Sequence, residues 1–229
     1  MADITSGLRG WWKLDEGIGT VAYDSSGLGN NGTLDVAVTW IPGIINSGID
    51  TSAVTTAMTA ASGFNFPTAN VLSLACWFKI ASLASRQNLI SWRVGTDDGI
   101  GLEVGPGNVH TNVVAVTSTN SWNLETVNNS ITTNIWTHVV FTKNGTGAGK
   151  QNLYINGVLT SLQTDNAISE PSANPVKLYG PLTGLDDVRG YNRVLTAGDV
   201  RELYSRHRRG FGNYVSVGDG MSRNEIASF

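Results

Sequence analysis

Short apolar runs separated by turn-forming residues recur along the chain. Eight of them are LRGWWKL (8–14), VLSLACWFKI (71–80), RQNLISWRV (86–94), IGLEV (100–104), VVAVTS (113–118), IWTHVVFTK (135–143), QNLYING (151–157) and NPVKLYG (174–180). Many alternate with a period of two, and in IWTHVVFTK the residues Trp136, His138 and Val140 share one face while Val139 and Phe141 share the other. Short strands at this spacing predict an all-β fold of two antiparallel sheets packed as a jelly-roll sandwich.

The turn sequences between the runs predict how neighbouring strands connect. Asn156 and Gly157 stand between LYI and VLT, and this dipeptide favours a two-residue type I′ hairpin because both of its positions need a positive φ. The glycine-rich stretch KNGTGAGK lacks the ending of a phosphate-binding loop and joins two strand-like runs. Both segments therefore predict hairpin connections.

One short helix is predicted after the last strand-like run. Thr196 is a suitable N-cap, and Asp199 stands three residues later, as in a capping box. Apolar side chains then recur at helical spacing, which predicts a buried stripe formed by Val200, Leu203 and Tyr204.

Composition narrows the class of protein. The chain has 229 residues, only 14% of them charged, and a net charge of −3, which favours neither a nucleic acid nor a membrane surface as a partner. Cys76 is the single cysteine, so disulfide frameworks and cysteine-based zinc sites are excluded, and we expect it to be a buried small apolar residue. No run reaches transmembrane length.

Several motifs in a fixed order resemble one family. GLRGWWKLDEGIGTVAYDSSGLGNNGTL, WIPG, LSLACWFKI, WTHVVFTKN, LYINGV and GLDDVRGYNRVLTAGDVRELY follow one another between about residues 7 and 204. Together they resemble the laminin-G-like, concanavalin A-like jelly rolls of bacterial, phage and extracellular proteins. The resemblance implies a concave and a convex sheet, with the first and last strands side by side. The stretch IINSGIDTSAVTTAMTAAS departs from the family pattern. We expect a laminin-G-like domain over residues 1–205 and a C-terminal extension over residues 206–229.

The motif GLDDVRGY contains two adjacent acidic residues. If it is an extended strand, Leu185, Asp187 and Arg189 share one face, and Asp186 and Val188 share the other. Arg189 is expected to form an ion pair with a carboxylate of this motif. In that interpretation the charged residues of GLDDVRGY are structural and not catalytic.

The same acidic pair raises the question of catalysis. Some jelly rolls of this shape are glycoside hydrolases, which need two carboxylates about 5–5.5 Å or about 6.5–9.5 Å apart. On one strand face such a pair stands at positions i and i+2, and no acidic residue of this chain has another at i+2. A pair from two strands, with Glu103 for example, stays open. We predict a protein that is not an enzyme.

The resemblance also implies a calcium ion, because members of the family often hold one where an N-terminal loop meets the last strand. Calcium binds six to eight hard oxygen ligands. Asp24 and Asn30 in the loop and Asp186 in the last strand are the candidate ligands. In the alternative, Asp24 closes an Asx-turn and Asp186 binds loop amides.

Carbohydrate binding is the usual role of the sheet surface or loop rim in such jelly rolls, and it needs exposed aromatic side chains. Trp92, Trp122 and Tyr179 are the candidates, although core packing explains Trp122 equally well. Core packing is the stronger interpretation for the tryptophans of alternating strands, which are Trp11, Trp12, Trp77 and Trp136.

The two ends of the chain favour an assembly role. The segment MADITSGLRGWW lacks the basic and apolar regions of a secretory signal, although a processed signal replaced by an initiating Met gives the same sequence. Residues 189–229 carry seven arginines against four acidic residues, whereas residues 1–188 carry eight basic against fourteen acidic residues. We expect the extension to be docked, on its own domain or on neighbouring chains, and we predict that it contacts other protein subunits. The predicted assembly contacts are Arg206, Arg208, Arg209, Phe211 and Tyr214.

Three roles follow from these features. The first is a non-catalytic virion surface protein, of the phage capsid decoration or fibre type, that binds the particle and host glycans. The second is a carbohydrate-binding module of a secreted glycan-active system. The third, and the least favoured, is a glycoside hydrolase, since the carboxylate pair on one strand face is missing.

Overall fold

A computed structural model describes residues 3–62, 71–94, 98–106, 111–116, 122–125, 130–145, 150–163 and 175–210. In that part of the chain the strands, in order, are β1 (Leu8–Trp12), β2 (Val21–Ala22), β3 (Gly32–Leu34), β4 (Thr39–Pro42), β5 (Ser47–Asp50), β6 (Thr56–Ala60), β7 (Val71–Lys79), β8 (Gln87–Val94), β9 (Asp98–Pro106), β10 (Thr111–Val116), β11 (Trp122–Glu125), β12 (Thr137–Asn144), β13 (Gln151–Ile155), β14 (Val158–Gln163), β15 (Lys177–Tyr179) and β16 (Gly184–Tyr191). The helix α1 follows at Ala197–Gly210. The described residues form no helix that is both long and apolar enough to span a membrane.

The strands form two antiparallel sheets. Sheet I has the order β14-β13-β12-β7-β16-β5-β4, with β1 paired to β16 beside this path. Sheet II has the order β11-β10-β9-β8-β15-β6-β3-β2. The predicted all-β, two-sheet antiparallel jelly-roll sandwich with one short C-terminal helix is therefore confirmed, and so is the pairing of the first and last strands.

The main core lies between the two sheets. Strand β7 shows its pattern, because Leu74, Cys76 and Phe78 are fully buried there and alternate with residues of the outer face. Across the sandwich Leu102 and Leu178 of sheet II belong to the same cluster. Cys76 is thus a buried apolar residue, as predicted, and burial raises the pKa of its thiol above the ordinary range.

A second apolar cluster covers the outer face of sheet I. Val200 and Leu203 of α1 pack against Ala75 of β7, Val140 of β12 and Tyr191 of β16. All five side chains are buried almost completely. The predicted apolar stripe is confirmed for Val200 and Leu203, and it fixes α1 on the surface of sheet I.

Local chemistry sets the start of α1 as predicted. The backbone N–H of Asp199 donates to Thr196 Oγ1 at 3.1 Å, and the N–H of Thr196 donates back to Asp199 Oδ2 at 2.9 Å. The capping box is therefore present. Asn156 and Gly157 have φ values of +51° and +82°, as a type I′ hairpin between β13 and β14 requires.

The motif GLDDVRGY is not the regular strand that the sequence predicts. Its register shifts between Asp186 and Arg189, and Asp187 has a φ of +47°. This bulge places Leu185 and Val188, three residues apart, in the same core. The strict alternation predicted for this strand is wrong, because the extra residue of the bulge reverses the faces that follow it. Arg189 does pair with a carboxylate, that of Asp187.

The helix α1 extends to Gly210. The first residues of the predicted extension, 206–210, are therefore helical, and residues 211–229 lie outside the described part of the chain. The division into a domain over 1–205 and an extension over 206–229 stays a prediction.

Candidate functional site

A pocket of about 400 Å³ opens on the outer face of sheet I beside α1. Its position follows from the strand faces, because Trp12 and Val188 point into the core between the sheets while their neighbours Trp11, Asp187 and Arg189 point outward. The residues that line it are Trp11, Lys13, Asp15, Ile45, Asn46, Asp187, Arg189 and Arg206. They come from β1 and the turn after it, the β4–β5 loop, β16 and α1.

The pocket forms where one edge of β16 stops pairing with strand β5 and begins to pair with strand β1. Leu185 pairs with Ile49 of β5, whereas Arg189 pairs with Trp11 of β1. The bulge at Asp187 lies between these two pairings and turns its side chain toward β1. The loop before β5 and the end of β1 therefore meet around the same side chains.

Three side chains form a rigid polar floor in the pocket. Trp11 Nε1 donates a hydrogen bond to Asp187 Oδ1 at 2.7 Å. Arg189 donates to Asp187 Oδ1 from Nε at 3.0 Å and from Nη2 at 2.8 Å, and Nη2 also donates to Oδ2 at 3.0 Å. The guanidinium carbon of Arg189 lies 4.1 Å from the centroid of the Trp11 ring.

The floor is charged but shielded from solvent. The side chain of Arg189 is 2% exposed and that of Asp187 is 6% exposed. Burial opposes the charge of Arg189, but Asp187 and Tyr191 together outweigh this effect, so the pKa of Arg189 lies above its ordinary value. The ion pair is joined to Trp11 by the indole hydrogen bond and by the guanidinium of Arg189 against the ring.

Two further cations stand at the rim. The ammonium of Lys13 lies 4.6 Å from the centroid of the Trp11 ring, and the side chain is exposed. Arg206 extends from α1, and its Nε lies 3.8 Å from Glu202 Oε1, with about a third of the Arg206 side chain exposed. The pocket therefore combines an aromatic ring with cations that ligands can reach.

The β4–β5 loop supplies the polar wall opposite. Asp15 accepts hydrogen bonds from Asn46 Nδ2 at 3.2 Å and from the Ser47 N–H at 3.3 Å. Below the loop, Asp186 Oδ2 accepts from the backbone N–H groups of Ile44 at 2.8 Å and Ile45 at 3.0 Å. Asp186 thereby positions the loop that carries Ile45 and Asn46.

Asp186 itself is fully buried. Burial raises its pKa to about 8, although the two amide hydrogen bonds favour the ionised form. Its Oδ1 has no hydrogen-bond partner among the residues that the structure describes. Asp186 therefore supports the loop below the pocket and does not line the pocket.

Backbone strain also concentrates at this site. Among the described residues, five other than glycine have a positive φ, and Leu14 (+59°), Asn46 (+54°) and Asp187 (+47°) lie in or next to the pocket. Each such conformation costs about 1–3 kcal/mol and is kept only where the surroundings require it. This clustering is a property typical of functional sites.

The candidate calcium ligands fall into two places. Asp24 and Asn30 lie together, because the Asn30 N–H donates to Asp24 Oδ2 at 2.9 Å. The other Asp24 oxygen accepts from the N–H groups of Trp11 and Ser26, both at 2.9 Å. Asp186 binds the amides before β5 instead. These contacts correspond to the alternative of an Asx-turn and loop amides. The described residues contain no group of three or more His, Cys, Asp or Glu side chains that could hold a metal ion. Calcium binding stays a prediction.

Of the predicted ligand aromatics, only Tyr179 has a described side chain, and it does not line this pocket. Trp92 is in β8 and Trp122 in β11, but their side chains lie outside the described part of the structure. Tyr179 is half-buried in β15, in the other sheet. Their role in binding stays a prediction.

Trp11 is the residue that sequence reasoning missed, because its core assignment is wrong. Trp11 and Trp12 are neighbours in a strand, so only one of them can face the core. Trp12 is fully buried there, while Trp11 lines the pocket. The adjacent tryptophans Trp11 and Trp12 were the signal in the sequence that one of the two side chains faces away from the core.

The predicted assembly contacts are mostly outside the described structure. Arg206 lines the pocket. Arg208 and Arg209 belong to α1, but their side chains are not described, and Phe211 and Tyr214 lie beyond the described residues. The assembly contact stays a prediction.

Comparison with known proteins gives the family. A laminin-G-like family model of the concanavalin A-like lectin/glucanases superfamily matches residues 50–201. No curated protein matches the chain. Solved structures with low sequence identity show the same fold.

The first is domain 4 of AbnA, an extracellular GH43 arabinanase from Geobacillus stearothermophilus, solved with arabinotriose. Its TM-score is 0.67 at 21% identity, over 86% of this chain and 98% of that one. The binding domain of botulinum neurotoxin serotype D has a TM-score of 0.66 at 17% identity, over 90% of this chain and 53% of that one. The binding domain of Paraclostridial Mosquitocidal Protein 1 has a TM-score of 0.65 at 17% identity, over 89% and 53%. The chain thus spans about half of each toxin domain.

The family model covers about two thirds of the chain, and the two-sheet topology agrees with it. The chain belongs to the laminin-G-like branch of the concanavalin A-like lectin/glucanases superfamily.

Proposed function

We propose that the chain is a carbohydrate-binding module and that the pocket beside Trp11 binds a saccharide. One observation carries the proposal. An indole ring lies in a surface pocket together with carboxylate, amide and guanidinium groups, contributed by Asp187, Asn46 and Arg189. Saccharides present apolar C–H faces and hydroxyl groups, so they fit a site that combines aromatic surface with a few fixed polar groups.

The pocket is preorganised for binding. Asp187 is held by Arg189 and by Trp11 Nε1, and Asp15 is held by Asn46 and the Ser47 amide. Groups fixed before binding lose little conformational entropy when a ligand arrives. The volume of about 400 Å³ lies within the range of small-ligand pockets and suits one or two sugar rings.

The related structures support this choice. Domain 4 of AbnA is an arabinanase domain that was solved with arabinotriose, and the toxin neighbours are described as binding domains. For the present chain these descriptions favour the second of the three predicted roles, a module of a secreted glycan-active system. An extracellular location is part of the proposal.

Binding without catalysis is also part of the proposal. The acidic residues weighed as catalytic are engaged in structural contacts. Asp187 is paired with Arg189, Asp186 binds loop amides, and Glu103 is 8% exposed and lies 3.8 Å from Arg86. Asp15 and Asp187 line the same pocket, however, so hydrolysis has to be measured directly.

A role at a virion surface stays a prediction from the sequence. Of its five predicted contact residues, Phe211 and Tyr214 lie outside the described residues, and the side chains of Arg208 and Arg209 are not described. Measuring the mass of the native particle with and without residues 211–229 would test it independently of saccharide binding.

The test of saccharide binding is a glycan array followed by calorimetry on the hits. Trp11→Ala is expected to weaken binding by at least about tenfold, because it removes the aromatic surface of the pocket. Trp136→Ala is the matched control, since Trp136 is a half-buried tryptophan under the ammonium of Lys79, and it does not line the pocket. Circular dichroism confirms that both variants are folded.

Two results would contradict the proposal. One is an array on which the wild type binds no saccharide, and the other is equal affinity of the wild type and Trp11→Ala. Product analysis after long incubation with each hit tests hydrolysis, and we expect the saccharide to be recovered intact.

A further inference from the structure

The pocket carries an excess of positive charge. Its lining contains the cations Lys13, Arg189 and Arg206 and the carboxylates Asp15 and Asp187. Arg189 and Asp187 neutralise each other, which leaves two cations against one carboxylate in the lining; Glu202, next to the lining, lies 3.8 Å from Arg206. The whole chain, in contrast, has a net charge of −3. Cations at the mouth of a pocket attract ligands of the opposite sign.

Lys13 is available to such a partner. Its ammonium contacts the ring of Trp11 at 4.6 Å. Among the described residues no carboxylate lies within ion-pair distance of Lys13. An ammonium held over an aromatic ring at the mouth of a pocket can gain a hydrogen-bonded ion pair without first breaking one.

Arg206 is the second available cation. Its separation from Glu202 is 3.8 Å, at the long end of ion-pair distances, and its side chain is about a third exposed. The Glu202 side chain is 11% exposed, and at 3.8 Å the two groups make no direct hydrogen bond. The guanidinium can therefore exchange Glu202 for an anion of the ligand, which it binds with two parallel hydrogen bonds.

Arg189 has a different role. It is buried and already donates hydrogen bonds to both oxygens of Asp187, so its role is structural. The rim cations Lys13 and Arg206 are the groups that can bind a negatively charged ligand. Asp15 lies on the loop side of the pocket, where Asn46 and the Ser47 amide hold it, and its oxygens can accept hydrogen bonds from sugar hydroxyls.

From this arrangement we propose that the ligand is an acidic saccharide, whose negatively charged group binds between Lys13 and Arg206 while a sugar ring lies against Trp11. The inference rests on the proposed function and names the class of saccharide. A carboxylate of a sugar acid and a sulfate ester share this chemistry, and the experiment separates them.

The experiment compares neutral, uronate-containing, sialylated and sulfated oligosaccharides on one array, with calorimetry on the hits. Acidic members are expected to bind at least about tenfold more tightly than neutral ones. Lys13→Gln and Arg206→Gln are each expected to weaken binding of the acidic ligand by about tenfold, and more salt, from about 50 mM to about 500 mM NaCl, also weakens it. Lys79→Gln is the matched control, because its ammonium lies 5.4 Å from the ring of Trp136, away from the pocket.

Chemical masking identifies the charged group. Methyl esterification removes the charge of a carboxylate, and desulfation removes that of a sulfate. The treatment that abolishes binding therefore shows which of the two groups the protein recognises. Both variants change exposed or half-exposed side chains, and their melting temperatures should stay close to that of the wild type.

The outcomes separate the two proposals. If neutral saccharides bind as tightly as acidic ones, or if both glutamine variants bind like the wild type while Trp11→Ala does not bind, the charge inference is overturned and the saccharide-binding function stands. If the wild type binds nothing on the array, both are overturned.

Discussion

The Arg189 guanidinium donates hydrogen bonds to both carboxylate oxygens of Asp187, with N···O distances from 2.8 to 3.0 Å. The two residues stand two positions apart on the last strand, and both are buried on the outer face of sheet I. Trp11 of the first strand closes the group through its indole N–H. The contact between the first and last strands is therefore also the floor of the candidate binding pocket.

Removal of one member of this pair should destabilise the fold strongly. Asp187→Asn leaves the guanidinium of Arg189 buried without a counter-charge, and such a change costs about 3–5 kcal/mol. Arg206→Gln removes a longer pair, with 3.8 Å between Arg206 Nε and Glu202 Oε1 and an Arg206 side chain that is 35% exposed, and it should cost clearly less. Urea unfolding of both variants measures the difference. A loss below about 1 kcal/mol for Asp187→Asn would contradict the structural role of the pair.

Asp186 should make stability depend on pH. Its pKa is about 8 in the folded protein against 3.8 for the free side chain, because burial disfavours the charge. The folded state therefore binds the proton more tightly than the unfolded state, and its contribution is present below about pH 4 and lost as the pH rises to about 8.

The variant Asp186→Asn isolates this effect. Its side-chain carbonyl can still accept from the amides of Ile44 and Ile45, but it carries no charge. We expect it to be more stable than the wild type above about pH 8, with the advantage shrinking as the pH falls toward about 4. Thermal unfolding between these limits measures it, and an advantage that does not change with pH would rule the interpretation out.

The start of α1 should depend on its capping box. Thr196→Ala removes the oxygen that accepts from the Asp199 N–H, and it should lower stability by about 1 kcal/mol. Ser205→Ala is the control within the same helix, since Ser205 only donates to a carbonyl of the helix, that of Glu202. Chemical unfolding compares the two. Equal losses would show that the cap contributes nothing specific.

The loop beneath the pocket should not accept a side chain at Gly43. A Cβ there would lie 2.2 Å from the carbonyl oxygen of Ser47 and 2.6 Å from Asp186 Oδ2. Gly43→Ala is therefore expected to destabilise the protein by more than about 1 kcal/mol and to weaken saccharide binding through the displaced loop. Gly198→Ala in the first turn of α1, where the nearest atom is 3.5 Å away, should be neutral or stabilising. Similar melting temperatures for the two variants would contradict the packing of this loop.

Local sequence determined most of the fold. The alternation in β7 and β12, the Asn156-Gly157 hairpin and the Thr196–Asp199 capping box depend on residues close together in the chain, so each can be predicted before any tertiary contact is known. The order of the motifs was enough to identify the family, and the family model confirms it.

The candidate site could not be predicted in the same way. Its lining joins residues 11–15, residues 45–46, residues 187–189 and Arg206, which are distant in the sequence. The pattern indicates that Trp11 and Trp12 face opposite ways but not which of them faces the core. That choice depends on the pairing of β1 with β16 and on the bulge at Asp187. These are contacts between the two ends of the chain, and only the tertiary structure brings those ends together.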